Sequence, residues 1–416
     1  MTYRTTGLAA LALGAALALA LGAPAASQGA GGGTVARYTV DAGTMSGFAG
    51  MGAGGGGLGA AMSMMRGGGG QVAKELTLRL GSTRAAAGAP ANAPKADHFM
   101  PAGAGLGASV PLVSPERTQG IYEPGTFPQG QMPRGRLLLF WGCGERAGEG
   151  QPVVIDFARL AKGQVPPGLF AAGAGLPEDW QVLATNSTTY GEWPNGRDTK
   201  SLKAGSSLLG AHRVVSTYAP EIGFTLADDF MPPLQARSAS LASGAARLDW
   251  GALPGATGYY AWAVGAKDMG SGGGGDMVWW SSSSTQQFGG ALAGWLSPAA
   301  AARLVAAGTV MPPTQTTCTI PAEVKAAGGE MLMTQLFGYG PQADFAYPPR
   351  PANAKAAWKP EWIARVRFRA NTALLLGMPA MGAMDSEAQA AQPAPSGKPK
   401  CKGLKGVAMW AAGLCE

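Results

Sequence analysis

The sequence WIARVRFRA at residues 362–370 alternates in character from one residue to the next. Because successive side chains of a strand point to opposite faces of its sheet, this period of two predicts a β-strand with one apolar and one basic face. The basic face carries Arg365, Arg367 and Arg369. Such a stripe is expected on a solvated sheet surface or on an edge strand that charge protects from aggregation. The alternative is a docking surface for an anionic glycan or a phosphate.

Short apolar runs of a similar kind recur along the chain, cut by turn residues. The 416 residues include 66 Gly and 31 Pro, and only 14% of them are charged, which disfavours long helices. Further strands are predicted at residues 34–41, 72–80, 136–141, 152–157, 213–218 and 222–226. Turn-bounded runs of this length are typical of a sandwich or a partial barrel. The predicted fold class is therefore all-β, with two β-sandwich-like domains.

Composition also suggests how the chain is divided. Residues 43–70 are nearly all Gly, Ala, Met and Ser, and such a segment is predicted to be flexible because it buries too little apolar surface to offset its ordering entropy. One short helix is predicted at 297–308, with Ser297 as its N-cap and Gly308 at its end. The predicted parts are a signal peptide (1–25), a short strand with the flexible segment (26–70), an N-terminal β domain (71–230), a second β domain (231–376), a linker (377–400) and a small Cys-bounded terminal module (401–416).

The first residues have the form of a secretory signal peptide. One charge, Arg4, precedes a run of Gly, Ala and Leu at residues 7–21, which is shorter than the roughly 20 residues that span a bilayer. Small residues predict cleavage after Ala25, with Ser27 as the alternative last residue. We therefore expect a periplasmic or secreted protein with no transmembrane span after cleavage. An uncleaved anchor is the less favoured alternative.

The charge balance narrows the classes of partner. The net charge is +7 at pH 7, and the positive residues are spread along most of the chain. This mild excess permits contact with anionic polymers of the cell envelope, but it does not indicate nucleic-acid binding. The expected partner is an envelope polysaccharide or another envelope protein.

Leu-Asp-Trp ends at Trp250, and Leu-Pro-Gly-Ala-Thr-Gly-Tyr follows it and ends at Tyr259. These two stretches resemble part of a fibronectin type III domain. In that family, a Trp on one strand and a Tyr on the next fill the core across a turn of this type. The resemblance implies a fibronectin-like β-sandwich around 231–347, a scaffold that serves adhesion, ligand binding and spacing alike. The helix predicted at 297–308 departs from the family pattern, and the whole chain resembles exported bacterial proteins of unknown function.

Four cysteines, an even number, suit a chain that carries an export signal, because disulfides persist in oxidising compartments. Three pairings are possible. The pair Cys401 and Cys415 is favoured because these residues are close in sequence and follow a flexible linker. This choice leaves Cys143 to pair with Cys318.

The sequence contains none of the common catalytic motifs. There is no Gly-x-Ser-x-Gly, no His-Glu-x-x-His and no phosphate loop. The two histidines, His98 and His212, have no ligand spacing to a cysteine. No catalytic residue, metal ligand or cofactor is therefore assigned. A glycoside hydrolase needs two carboxylates about 5–10 Å apart. The candidates for such a pair are Glu145, Asp156, Glu192 and Asp276.

Three tryptophans are candidates for stacking on sugar rings. Because neighbours on a strand face opposite sides, only one of Trp279 and Trp280 can be buried in a single core, and the other is expected to be exposed. Trp193 lies in a predicted loop. The alternative role for these residues is local packing beneath a loop.

Together these features predict an exported, non-catalytic cell-envelope protein that binds polysaccharide or another envelope protein through β-sandwich domains. A secreted polysaccharide hydrolase is the first alternative, and a structural spacer protein is the second.

Overall fold

Strands are the most abundant regular element of the computed structural model, which describes residues 33–52, 72–86, 95–115, 134–160, 162, 164, 181–196, 198, 200–267, 274–329, 331–353 and 355–376. The all-β fold class is thereby confirmed. The strands are β1 (Ala36–Gly47), β2 (Ala73–Ser82), β3 (Ala96–Phe99), β4 (Ser109–Pro111), β5 (Arg134–Trp141), β6 (Val153–Asp156), β7 (Thr189–Trp193), β8 (Gly210–Ser216), β9 (Ile222–Leu226), β10 (Ala236–Ser240), β11 (Ala246–Trp250), β12 (Gly258–Lys267), β13 (Gly274–Ser281), β14 (Thr317–Ile320), β15 (Leu332–Tyr347) and β16 (Trp362–Leu376). The helices in these ranges are α1 (Phe48–Gly52), α2 (Phe157–Leu160), α3 (Pro298–Ala306) and α4 (Ala322–Gly328).

A nine-stranded sheet forms the frame of the molecule. Its strand order is β6-β5-β13-β12-β15-β16-β1-β2-β7. The pairs β1 with β16 and β5 with β13 are parallel, and the other pairs are antiparallel. The strand predicted from WIARVRFRA is confirmed as the first part of β16, but it lies in the interior of the sheet between β15 and β1. The alternative of a charge-protected edge strand is therefore wrong.

Two smaller sheets pack on one face of this frame, which we call the inner face. They have the strand orders β4-β3-β8-β9 and β10-β11-β14. Alternate residues of β1 and β16, such as Tyr38, Val40 and Val366, join apolar residues of both small sheets in one buried cluster. This large cluster is the main core, and it is built by the period of two that the sequence shows.

The nine-stranded sheet takes strands from both sides of the predicted boundary at 230/231. This shared sheet does not confirm the predicted arrangement of two separate sandwiches. The Trp250 and Tyr259 rings that carry the fibronectin resemblance do contact each other, with centroids 5.5 Å apart, and both are buried. Trp250 lies in the three-stranded sheet and Tyr259 in the nine-stranded sheet. Membership of the fibronectin family stays a prediction.

Part of the chain assigned to the flexible segment is regular structure. β1 continues to Gly47 and α1 follows it, so the segment predicted to be flexible from residue 43 is ordered at its start. β1 can extend through these small residues because β16 and β2 pair with it on both sides. Residues 53–71 lie outside the described residues.

The opposite, outer face of the large sheet is covered in part by α3. The predicted cap is confirmed, because the Ser297 side chain accepts a hydrogen bond from the Ala300 backbone N–H. Ala300 and Leu304 pack on Tyr260 and Tyr339 of the sheet. A third apolar cluster lies farther along this face, around Leu139 of β5 and its neighbours. The large sheet is therefore buried on both faces over its β5, β13 and β12 strands.

One disulfide joins the large sheet to the three-stranded sheet. Cys143, just after β5, is bonded to Cys318 on β14, with the two Cα atoms 5.1 Å apart. This pairing is the one that the sequence left once Cys401 was matched with Cys415. Those two cysteines and the predicted cleavage site at Ala25 lie outside the described residues. In the part of the chain that the structure describes, no helix is long and apolar enough to cross a membrane.

Candidate functional site

The three tryptophans predicted as stacking residues are all buried. Trp193 lies at the end of β7 and not in a loop, and its indole N–H donates to the Asp198 carboxylate at 3.1 Å. Trp280 belongs to the main core on the inner face. Trp279 belongs to the third cluster on the outer face, where its ring stacks on that of Trp262 at 5.0 Å. The expectation of an exposed ring at one of the three positions is wrong.

The physical reason is that β13 has a packed layer on each side. Strand alternation does send Trp279 and Trp280 to opposite faces, as predicted. The prediction assumed a single core. That assumption is wrong, because α2, the β6 strand and the segment around Phe288 cover the outer face at this point. Where a sheet is covered on both faces, a central strand buries the side chains on both of its sides, so Trp279 and Trp280 are both buried.

Two arginines of the basic stripe on β16 are buried, in a network of ion pairs that we call the charged network: Asp41, Glu75, Arg79, Arg367 and Arg369. The third, Arg365, is half-buried and donates to the Asp344 carboxylate at 2.9 Å. The Arg367 guanidinium donates to both oxygens of Asp41, at 2.7 and 3.0 Å. Arg79 on β2 donates to the same carboxylate at 2.8 Å. Arg367 and Asp41 have side-chain exposures of 5% and 0%. The alternative of a solvated sheet face is therefore wrong at these positions, and the guanidiniums are occupied by carboxylates of the chain itself.

The second half of the charged network depends on a glycine. Arg369 on β16 donates to Glu75 on β2 at 2.6 Å, across Gly43 of the intervening strand β1. A Cβ at position 43 would lie 2.3 Å from a Glu75 carboxylate oxygen. The Arg369 guanidinium also lies 4.2 Å from the centroid of the Trp295 ring. The absence of a side chain at Gly43 thus leaves the space in which the two charged side chains meet.

The carboxylates considered for a hydrolase are not assembled as a catalytic pair. Asp156 and Asp276 face Arg136 from the two strands beside it, which puts their Cα atoms two strand spacings, roughly 10 Å, apart. Arg136 lies between them and donates to Asp276 at 2.9 Å. The Arg136 hydrogen bond lowers the pKa of Asp276. A hydrolytic acid needs a raised pKa, so this arrangement opposes the acid role.

The other two carboxylates lie elsewhere. Glu145 is exposed on the loop after β5, and Glu192 is half-buried on β7 at the other end of the sheet from β6. The Glu192 carboxylate accepts a hydrogen bond from the Tyr190 hydroxyl at 2.5 Å. Burial is the main cause that raises the pKa of Tyr190. Nothing in these contacts brings Glu145 and Glu192 together.

The structure does expose one large aromatic ring beside a packed aromatic partner. Tyr347, the last residue of β15, is 58% exposed. Its ring stacks on that of buried Trp362, the residue directly opposite on β16, with centroids 6.5 Å apart. The ring is thus supported on one side by the sheet and accessible from the other.

Tyr347 begins a connection to β16 that we call the Tyr347 loop, residues 347–353 and 355–361. Hydrogen bonds fix the loop at both ends. The Glu361 N–H donates to the Tyr347 carbonyl at 2.6 Å, and the Trp358 indole N–H donates to the Pro348 carbonyl at 3.0 Å. Fixed φ angles at its prolines restrict the loop further. Those prolines are Pro348, Pro349, Pro351 and Pro360.

The Tyr347 loop also carries an excess of positive charge. Arg350, Lys355 and Lys359 are exposed. The Arg350 guanidinium lies over the Trp358 ring, 5.3 Å from its centroid. Glu361 is the single acidic residue of the described loop residues, and it lies 3.7 Å from Arg84. An exposed aromatic ring with cations beside it is an arrangement that can bind an anionic ligand with apolar surface.

Sequence reasoning missed this loop. The run YPPRP beginning at Tyr347 was a visible signal, since aromatic, proline and basic residues occur together there. The run does not reveal that Trp362, fifteen positions away, supports the tyrosine ring from the facing strand, because that contact depends on the pairing of β15 with β16.

No group of three or more metal-ligating side chains of the His, Cys, Asp and Glu types occurs in the described ranges. No protein-family model matches the chain, and no curated protein matches it either.

Proposed function

We propose that this chain is an exported cell-envelope protein that binds an anionic polysaccharide at the Tyr347 loop without chemical turnover. The observation that carries the proposal is a tyrosine ring, 58% exposed, stacked on the buried Trp362 in a loop with three exposed cations. Export is supported by the signal-like residues 1–25. The Cys143–Cys318 disulfide is compatible with an oxidising compartment.

The tyrosine supplies the apolar part of the binding site. A ring that is held in place before binding loses little conformational freedom when a ligand covers it. Tyr347 is held by its stack on Trp362 and by the hydrogen bond from Glu361 to its carbonyl. A flat apolar ring can cover the apolar face of a sugar and leave its hydroxyl groups in water.

The cations supply the preference for an anionic polymer. Arg350, Lys355 and Lys359 can pair with uronate carboxylates or phosphates spaced along a chain. Because these side chains are exposed, salt screens their attraction. We therefore expect binding to weaken with ionic strength, and a neutral polysaccharide to bind less tightly than an acidic one of similar backbone.

The test is isothermal titration calorimetry of the full chain with alginate, which is a polyuronate, and with pullulan, which is neutral. Tyr347→Ala should weaken alginate binding about threefold to tenfold, since an aromatic contact contributes roughly 0.5–1.5 kcal/mol. Tyr347→Phe keeps the ring and is the matched control, so it should bind within about twofold of the wild type. Equal binding of alginate by the Ala variant and the wild type would exclude the loop as the site.

A second pair of variants tests the charge. Arg350→Gln together with Lys359→Gln should lower alginate affinity and reduce its dependence on salt, without changing pullulan binding. If neither polymer binds measurably, the polysaccharide proposal is wrong, and an envelope protein is the remaining class of partner.

A further inference from the structure

The two histidines of the chain, distant in sequence, meet in the core. His98 on β3 and His212 on β8 are neighbours in the four-stranded sheet, and their ring nitrogens Nε2 and Nδ1 are 3.0 Å apart. The other nitrogen of His98, Nδ1, is 2.6 Å from the Tyr38 hydroxyl on β1. The other nitrogen of His212, Nε2, is 2.7 Å from the Leu208 carbonyl. Tyr38, His98 and His212 thus form one continuous chain between two sheets.

The partners at the two ends of this hydrogen-bond chain determine which nitrogen of each histidine donates and which accepts. A carbonyl only accepts, so His212 donates from Nε2 to Leu208 and its Nδ1 is the acceptor. His98 therefore donates from Nε2 to His212, and its own Nδ1 accepts from the Tyr38 hydroxyl. Every nitrogen of both rings is used once, and both rings are neutral.

Burial reinforces the neutral state. Tyr38 and His98 are fully buried, and His212 is nearly so. Burial lowers the pKa of His98 well below its ordinary value, and the neighbouring His212 lowers it further. Burial also lowers the pKa of His212, and the Leu208 carbonyl opposes that shift. The pKa of the Tyr38 hydroxyl is raised by burial and by Tyr218.

The pair also contacts the strand that ends at Tyr347. The His212 ring stacks on Phe224 of β9, with parallel planes and centroids 5.0 Å apart. Phe224 stacks on Phe345 of β15 at 4.9 Å. Phe345 lies two residues before Tyr347, so a stack of three rings runs from the histidines to the base of the Tyr347 loop.

We propose that His98 and His212 form an acid-sensitive lock, which holds the four-stranded sheet on the nine-stranded sheet at neutral pH and releases it when both rings are protonated. The lock does not depend on what the Tyr347 loop binds.

Protons disrupt the lock in two steps. A first proton can be accommodated on His98 Nδ1 if the hydrogen bond with Tyr38 reverses, so that Nδ1 donates to the Tyr38 oxygen, but this leaves the Tyr38 hydrogen without its acceptor and places a charge in the core. A second proton goes to His212 Nδ1, which then carries an N–H that faces the existing N–H of His98 Nε2, with the two nitrogens 3.0 Å apart. Two donors and two positive charges then face each other, so the packed state cannot hold both.

No hydrogen bond or ion pair joins either ring to a carboxylate in the described residues. Tyr38 is the titratable side chain bonded to the pair, with Tyr218 near it. Asp229 lies beyond Leu208, whose backbone N–H donates to it at 2.9 Å, and its charge is offset by Lys74. β9 and β15 contribute the uncharged rings Phe224 and Phe345. The charged residues of the surrounding strands alternate with the inward-facing ones and lie on the other faces of their sheets: Arg37, Asp97, Arg213 and Asp344.

The sign of the pH effect follows from the lowered pKa values. In the unfolded chain the two histidines take up protons near pH 6.5, whereas in the folded chain they do not. The stability that they contribute is complete above pH 6.5 and is lost as the pH falls below it. Acid therefore weakens the contact between the two sheets.

The test uses the fact that the chain has only two histidines. In the full chain labelled with 13C-histidine, two ring signals report both residues directly. We expect neither signal to titrate near pH 6.5, and both to change together at lower pH, at the point where the backbone amides of β3, β8 and β9 lose their protection from hydrogen exchange. Independent titration of either ring near pH 6.5 with these amides still protected would refute the lock, as would joint titration at lower pH with the sheet intact.

A conservative variant gives a second readout. Tyr38→Phe removes the donor to His98 Nδ1 and should raise the pH at which the ring signals change by roughly half a unit. Tyr260→Phe removes a hydroxyl from the separate cluster on the outer face and is the matched control, so it should leave that pH in place. An equal shift in both variants, or none in Tyr38→Phe, would contradict the proposed hydrogen-bond chain.

Discussion

Replacing Asp41 by Asn tests the charged network, because it removes a charge and changes almost no volume. Asp41 is fully buried and accepts two hydrogen bonds from Arg367 and one from Arg79. Arg79 is about one-third exposed and can turn its charge to water, but the Arg367 side chain is only 5% exposed and cannot. After the substitution, the Arg367 guanidinium stays buried with the Trp295 carbonyl, an uncharged acceptor, as a partner.

The expected cost follows from that geometry. Breaking a buried ion pair by removing one partner typically costs 3–5 kcal/mol, so we expect Asp41→Asn to lower the free energy of unfolding by about 4 kcal/mol. Equilibrium unfolding in guanidinium chloride measures it. The double variant Asp41→Asn with Arg367→Met removes the stranded charge as well. It should recover much of the loss, since a buried pair and an apolar replacement differ little in stability.

The matched control is another Asp in an Arg pair on the same sheet. Asp276 pairs with Arg136, but the two side chains are 30% and 54% exposed. Asp276→Asn should therefore cost less than about 1 kcal/mol. If Asp41→Asn and Asp276→Asn cost the same, burial of Arg367 would not be what makes the charged network important, and the reasoning would fail.

Two further predictions concern the disulfide and the glycine in the network. Cys143→Ser together with Cys318→Ser opens a loop with a sequence separation of 175, and the chain-entropy relation gives about 5 kcal/mol of lost stability; equal denaturation midpoints for the variant and the oxidised wild type would contradict it. Gly43→Ala should push Glu75 off Arg369 and cost about 2 kcal/mol. Gly43→Ala and Glu75→Gln both disrupt the ion pair between Glu75 and Arg369. The double variant should therefore lose less stability than the sum of the two single variants, and additive losses would argue against their coupling.

Local patterns predicted several of the strands. The alternation in WIARVRFRA gave the position of β16, and the run at residues 222–226 gave β9 without error. The Ser297 cap was also readable, because its hydrogen bond joins residues three positions apart. These features depend on neighbours in sequence, so the sequence contains all the information that they need.

The candidate sites were harder to predict because each depends on a strand from another part of the chain. His212 had no visible ligand or partner, yet β3 brings His98 to within 3.0 Å of it. Tyr347 was not singled out, because its support by Trp362 requires the pairing of β15 with β16. One of Trp279 and Trp280 was expected on the surface, because the second covering layer of β13 was not foreseen.

Sequence alone determined the all-β class, the strand periodicity, the capped helix and the even number of cysteines, all of which follow from local propensity and from residue counts. Tertiary structure decided which face of each strand is covered, and hence that Arg367 and Arg369 of β16 are bound by Asp41 and Glu75. The physical reason is that burial and ion pairing are set by the order of strands in the sheet. That order joins β1 to β16 across almost the whole described chain, a pairing between residues far apart in sequence that no local pattern specifies.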